Sequence, residues 1–160
     1  MPRARSRTAL SRSWRTARTL AAFIARPRGW TQGIASAGGG ALAGAVGGFI
    51  GGKKSQQAHA GADEAGFEIA SPMALAITQR RLLSFKTSTP VGAGIPGGGD
   101  VKELLSAAPL TEVDSIEVKR LGMGKKITVT VRGAAFELEA GAGANANGVA
   151  EAFEQARASA

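Results

Sequence analysis

Cysteine is absent from this 160-residue chain. Disulfides, thiolate zinc sites and a cysteine nucleophile are excluded with it. Tyrosine is absent too, and aromatic residues make up only 5 % of the sequence. Stacking platforms for single-stranded nucleic acid are therefore scarce. The one histidine, His59, is the residue a triad or an acid–base pair would need. It stands in a small polar stretch that reads as a hinge, Gln56 to Ala62. No group of residues has metal-ligand spacing and no nucleophile, base and orienting group come together in the pattern. No catalytic activity, cofactor or metal is expected.

Two further absences are regional. Acidic residues are missing from residues 1–28, which hold eight arginines: Arg3, Arg5, Arg7, Arg12, Arg15, Arg18, Arg26 and Arg28. The other twelve basic residues are balanced by all twelve acidic ones. The formal charge of +8 thus belongs to an N-terminal arm, and the body is neutral. The arm reads as disordered; its Arg/Ser-rich composition also fits a transit peptide or sequence upstream of the true start. Its apolar run Leu20-Ala-Ala-Phe-Ile-Ala25 is too short for a secretory signal and is cut by Arg26-Pro27-Arg28. Nucleic acid is not the expected partner, because no recognition fold or basic face accompanies the arginines. Anionic lipid suits the arm equally well.

The second absence is charge itself, over residues 29–52. What is there is glycine. Gly40, Gly44, Gly48 and Gly52 stand four apart, and Gly47 and Gly51 make a second row. Positions four apart stack on one helix face. A bare face lets helices approach closely, as membrane helix pairs do. From Trp30 to Gly52 a helix would be about 34 Å long at ~1.5 Å per residue, enough to span a bilayer. Trp30, Lys53 and Lys54 would be its interfacial anchors. The alternative is a flexible linker, since glycine-rich tracts commonly are. The end of this stretch, Gly47 to Ser55, also approaches a phosphate-loop pattern. Lys54 occupies the hydroxyl position there, and neither a preceding strand nor a following helix pattern is evident.

From residue 62 to 160 the sequence reads as a folded α+β domain, a small antiparallel sheet or partly closed barrel of about seven strands with one C-terminal helix. Strand signals cover Phe67 and Ile69, then 73–78, 81–87, more ambiguously 101–106, then 113–121, 126–132 and 134–139. Lys126-Ile-Thr-Val-Thr-Val-Arg132 alternates most cleanly. Glu137 and Glu139 are expected on a solvated face. Residues 90–99 must be loop. Asn147 reads as the helix N-cap, with Val149, Ala152, Phe153 and Ala156 at helical spacing.

The order Thr78-Gln-Arg-Arg81-Leu82, a strand, then Pro109-Leu110-Thr-Glu-Val113-Asp-Ser115-Ile116, an Ile-Thr-Val strand and a terminal helix around Phe153 resembles the bacterial pleckstrin-homology-like domains. Their pattern is roughly T-x-x-R-L followed by P-L-x-x-I-x-S-V. The resemblance spans about residues 62–158, and its motifs are short and apolar. It departs from that pattern in the long glycine loop and the short first strand. It implies a small strand-rich barrel acting as a binding or membrane-associated module, without catalytic residues. On local grounds alone, Arg81 covers a sheet edge and Pro109 limits a strand.

The expectation is a cytoplasmic, non-catalytic module, attached to the inner face of a membrane and self-associating through the glycine row. The rival is a soluble protein-interaction module with the glycines as tether. Its protein partner is not legible. Lys119, Arg120, Lys125 and Lys126, at the two ends of one turn, are the candidate patch for an acidic partner; a solvated turn is the plainer reading.

Overall fold

The computed structural model describes residues 19–29, 41–88 and 101–159, with 41–52 described by backbone alone. Its strands are β1 (Thr19–Pro27), β2 (Met73–Thr78), β3 (Arg81–Thr87), β4 (Val101–Pro109), β5 (Val113–Leu121), β6 (Gly124–Val131) and β7 (Ala134–Gly141). Helix α1 (Ala41–Glu64) lies between β1 and β2, and helix α2 (Ala146–Ala158) closes the described chain. A single 3-10 turn, Leu110–Glu112, joins β4 to β5.

All pairings are antiparallel, in the order β4-β3-β2-β1-β7-β6-β5. The sheet is not closed: β4 and β5 are its edges. Two meanders meet at β1. Residues 19–25 of β1 pair with β2, whereas Arg26 and Pro27 pair with Glu139 and Leu138 of β7. One strand therefore holds both halves together.

This corrects the reading of residues 1–28 as one disordered arm. Residues 19–27 are the shared strand, with Phe23 5 % and Ala25 1 % exposed. The physical reason is the apolar run Leu20 to Ala25: too short for a signal sequence, it is long enough for a strand of ordinary length. Seven strands were expected and seven are present among the described residues, but the membership differs. Phe67 and Ile69 are buried in an irregular segment after α1 rather than in a strand. Phe67 stacks on Phe136, with ring centroids 5.4 Å apart. The β4 segment also extends to Pro109, beyond the expected end at Ser106.

The hinge expected at 56–62 is the second half of α1. Ala58, Ala62 and Ala65 are buried, in a three- and four-residue spacing that puts them on one side. The helix seats on β7 at very short range. A Cβ at Gly61 would lie 2.3 Å from the Ala135 carbonyl oxygen, so glycine is required there by the approach itself.

The main core lies between the sheet and α2. It contains Met73, Leu75 and Ile77 of β2, Leu82 of β3, Ile127, Val129 and Val131 of β6, Phe136 and Leu138 of β7, and Val149 and Phe153 of α2. A second apolar cluster, Ala74, Ala76, Leu83 and Phe85, lies on the other side of β2 and β3. The predicted face of α2 is the buried one, except that Ala156 is only half-buried. Its N-cap is Asn145, not Asn147. Arg157 stations the far end of α2 over β5, donating to the Asp114 carbonyl at 3.0 Å.

Candidate functional site

The two motifs behind the family resemblance come together in space. Arg81 is paired across the ladder with Pro109, and the Leu110 amide donates to the Arg80 carbonyl at 2.9 Å. Thr78, 4 % exposed, organises the corner. Its hydroxyl accepts from the Arg80 and Arg81 amides at 3.3 and 3.0 Å and donates to the Arg81 carbonyl at 3.2 Å. A tight turn uses such a side chain because its amides have no ladder partner. Arg81 is exposed at the strand's start. These motif residues shape a sheet corner.

The acidic pair, expected on a solvated face, is engaged. Glu139 is 6 % exposed and accepts from the Gly29 amide at 3.0 Å. Glu137 is half-buried and pairs with both Arg28 and Lys126, the latter at 2.9 Å. Burial pushes the Glu137 carboxyl up, but hydrogen bonds and charge from Lys126 and Arg28 outweigh it and hold the group below the ordinary glutamate value. The pair fastens the end of β1 to β7. Composition did not show this because the partner arginine belongs to the apparent arm.

The four candidate basic residues stand on the β5–β6 hairpin, but not as one patch. Lys119 is paired with Lys126, and Arg120 with Lys125. Side chains alternate across a strand, so the first pair points to one face of the sheet and the second to the other. Lys126 is held by Glu137. Lys119 is exposed, 3.2 Å from Glu117. On the opposite face, the Arg120 Nε donates to the Gly122 carbonyl at 3.3 Å and the Lys125 Nζ to the Ala144 carbonyl at 2.8 Å. These two basic residues, with Val118, Met123 and Asn147, line a depression of about 300 Å³ beside the start of α2. The expectation of a shared acidic-partner patch is thereby split by the pleat.

The turn of this hairpin is Gly122-Met123. Gly122 has φ +56°, which a first turn position of this two-residue type favours in glycine. Met123 is 93 % exposed, far above any other large apolar residue among those described. The sequence showed the turn but gave no reason to single out its methionine.

Of the glycine-row residues, Gly44, Gly48 and Gly52 lie in α1. Gly40 and the anchor Trp30 lie outside the described residues. Lys53 is exposed and Lys54 half-buried, both in mid-helix. By helix geometry, Gly44, Gly48 and Gly51 share a side with Ala58 and Ala62, the two alanines being buried. No helix among the described residues is long and apolar enough to cross a membrane. His59 is half-buried on α1, and the described residues contain no cluster of three or more metal-ligating side chains. No family model matches the chain, and no curated protein matches it.

Proposed function

We propose that the chain is a non-catalytic binding module of pleckstrin-homology-like architecture that works at the inner, cytoplasmic face of an anionic membrane. The observation that carries the reading is the strand order β4-β3-β2-β1-β7-β6-β5 with a terminal helix over the core. The antiparallel strands and the closing helix support it, although the sheet is open rather than a closed barrel and its shared strand, β1, lies before the stretch that carries the resemblance. The meeting of Thr78, Arg81, Pro109 and Leu110 at one corner adds support, because it gives the matching motif residues a common structural task.

The membrane half of the reading rests on charge. The arginines before β1 and the basic hairpin supply cations that anionic headgroups attract by roughly 1 kcal/mol each near the surface. Attachment is peripheral in this reading, with the glycine face of α1 serving self-association. Fractionation of the full chain tests it. Recovery in the membrane fraction, with release by high salt or alkaline wash, is expected. Recovery in the soluble fraction at low salt ends the proposal.

A second reading is favoured by one observation: the glycine row shares its side with the alanines that seat α1 on the domain. A face built for close packing against protein suits a protein-interaction module, taking a helix of a second copy or of another protein. Gly48→Leu then abolishes assembly on a sizing column and leaves fractionation unchanged.

A further inference from the structure

We infer that the β5–β6 hairpin is the surface that seats on an anionic lipid bilayer, with Met123 entering the headgroup–acyl boundary; this rests on the reading of the chain as a peripheral membrane module. Three observations carry it. The first is Met123 itself, 93 % exposed. The turn needs glycine at position 122, but nothing in its geometry requires a thioether next to it. A polar residue would serve the turn equally. Leu121, at 39 % exposure, extends the apolar tip.

The second is charge. Residues 118–128 contain Lys119, Arg120, Lys125 and Lys126 and no acid. Of the carboxylates behind the tip, Glu117 pairs with Lys119 and Glu137 with Lys126, and Glu139, opposite Lys126 on β7, is buried and takes the Gly29 amide. An isolated exposed methionine is unremarkable. One flanked by cations at the tip of a hairpin is placed as interfacial anchors are, apolar group in and cations at the phosphates.

The third observation selects the partner's shape. The pleat sends Lys119 to one face and Arg120 and Lys125 to the other. A peptide lying on either face meets only part of this charge. A plane met end-on meets all three cations around the tip. The hydrogen bonds from Arg120 to the Gly122 carbonyl and from Lys125 to the Ala144 carbonyl hold both groups near that end. The remaining guanidinium N–H groups and ammonium protons are the ones available to lipid phosphates.

The test is co-sedimentation of the full chain with vesicles of phosphatidylcholine, with or without phosphatidylserine. Binding is expected only with phosphatidylserine and falls as salt is raised. Met123→Asp should weaken it about tenfold or more. Arg120→Glu with Lys125→Glu should do at least as much. Met123 is exposed, so Met123→Asp leaves the thermal melt unchanged. Because the chain lacks cysteine, Met123→Cys offers a unique position for an environment-sensitive fluorophore. Its emission should shift to the blue on the phosphatidylserine vesicles. If the wild type binds but the label does not shift and Met123→Asp binds as well, the hairpin assignment is overturned and the membrane reading stands. If the wild type binds no vesicle, both fall.

Discussion

The two halves of the sheet are built from different kinds of strand. In the β1–β4 half, β2 reads Met-Ala-Leu-Ala-Ile-Thr and is buried at every position, and β3 is buried at Leu82 through Phe85. Apolar clusters occupy both of its faces. In the β5–β7 half, β6 reads Lys-Ile-Thr-Val-Thr-Val after its glycine and lysine start, and buries only Ile127, Val129 and Val131. Its other face carries Thr128, Thr130 and the ion pairs of Glu137. Alternation is the imprint of one wet face. Where both faces are covered, that imprint is lost and only an apolar run remains. That is why β6 alternates most cleanly in the sequence and β2 reads as an apolar run.

The largest effect comes from breaking the strand that joins the halves. Ala25→Asp puts a carboxylate at a site 1 % exposed and should cost on the order of 3 kcal/mol or more. A chain beginning at Arg28 should not give a cooperative thermal unfolding transition at all. Retention of a native melt by that shorter chain would refute β1 as the shared strand.

The contrast between the halves is sharpened by the same kind of change on each outer face. Ala76→Asp enters the second apolar cluster and should lose about 2 kcal/mol or more. Thr128→Lys, facing Glu117 and Glu137 across the ladders, should stay within about 0.5 kcal/mol of wild type. Urea titration of the two variants measures both. Equal costs would erase the distinction drawn between the faces.

Gly61→Ala tests how α1 docks on the second half. Alanine gains about 1 kcal/mol of helix propensity. The added methyl would meet a backbone carbonyl at 2.3 Å, and backbone has little room to give. Overpacking of this kind costs about 1–3 kcal/mol, so a net loss in the thermal midpoint is expected. A gain would mean that α1 stands off the sheet.

The smallest effect is at Glu137. Its carboxyl is held below the ordinary glutamate value, so its contribution is fully present above that ordinary value. It is lost as the pH falls through the depressed native value. Glu137→Gln should cost about 1 kcal/mol or less at neutral pH, since the group is partly solvated. The loss should vanish toward strongly acidic pH, which urea midpoints taken from pH 7 downward will show.

Much of the domain was legible residue by residue. Gly122 and Gly133 punctuate the β5–β6–β7 meander where expected, and Val149 and Phe153 mark the buried face of α2. Other features were hidden because their cause is remote in the chain. Arg28 read as one more arginine of an arm, yet it pairs with Glu137. Glu139 read as a solvent-facing carboxylate, yet the Gly29 amide and burial enclose it. The basic quartet on the hairpin was legible as charge. Its division between two faces, and the exposure of Met123 between them, required the register of β5 on β6.

The sequence by itself determined the elements whose pattern is local. These are the alternating strands, their turns and the amphipathic helix, because side-chain periodicity answers to a single boundary between core and water. It also determined the chemistry that is absent with cysteine. Tertiary structure decided the rest. It made Leu20 to Ala25 a shared strand, placed Ala58 and Ala62 against β7, and turned two solvent-like glutamates into fastenings. Each of these depends on a partner many residues away. Burial on both faces, close approach and ion pairing are properties of pairs, and no single segment carries them in its own pattern.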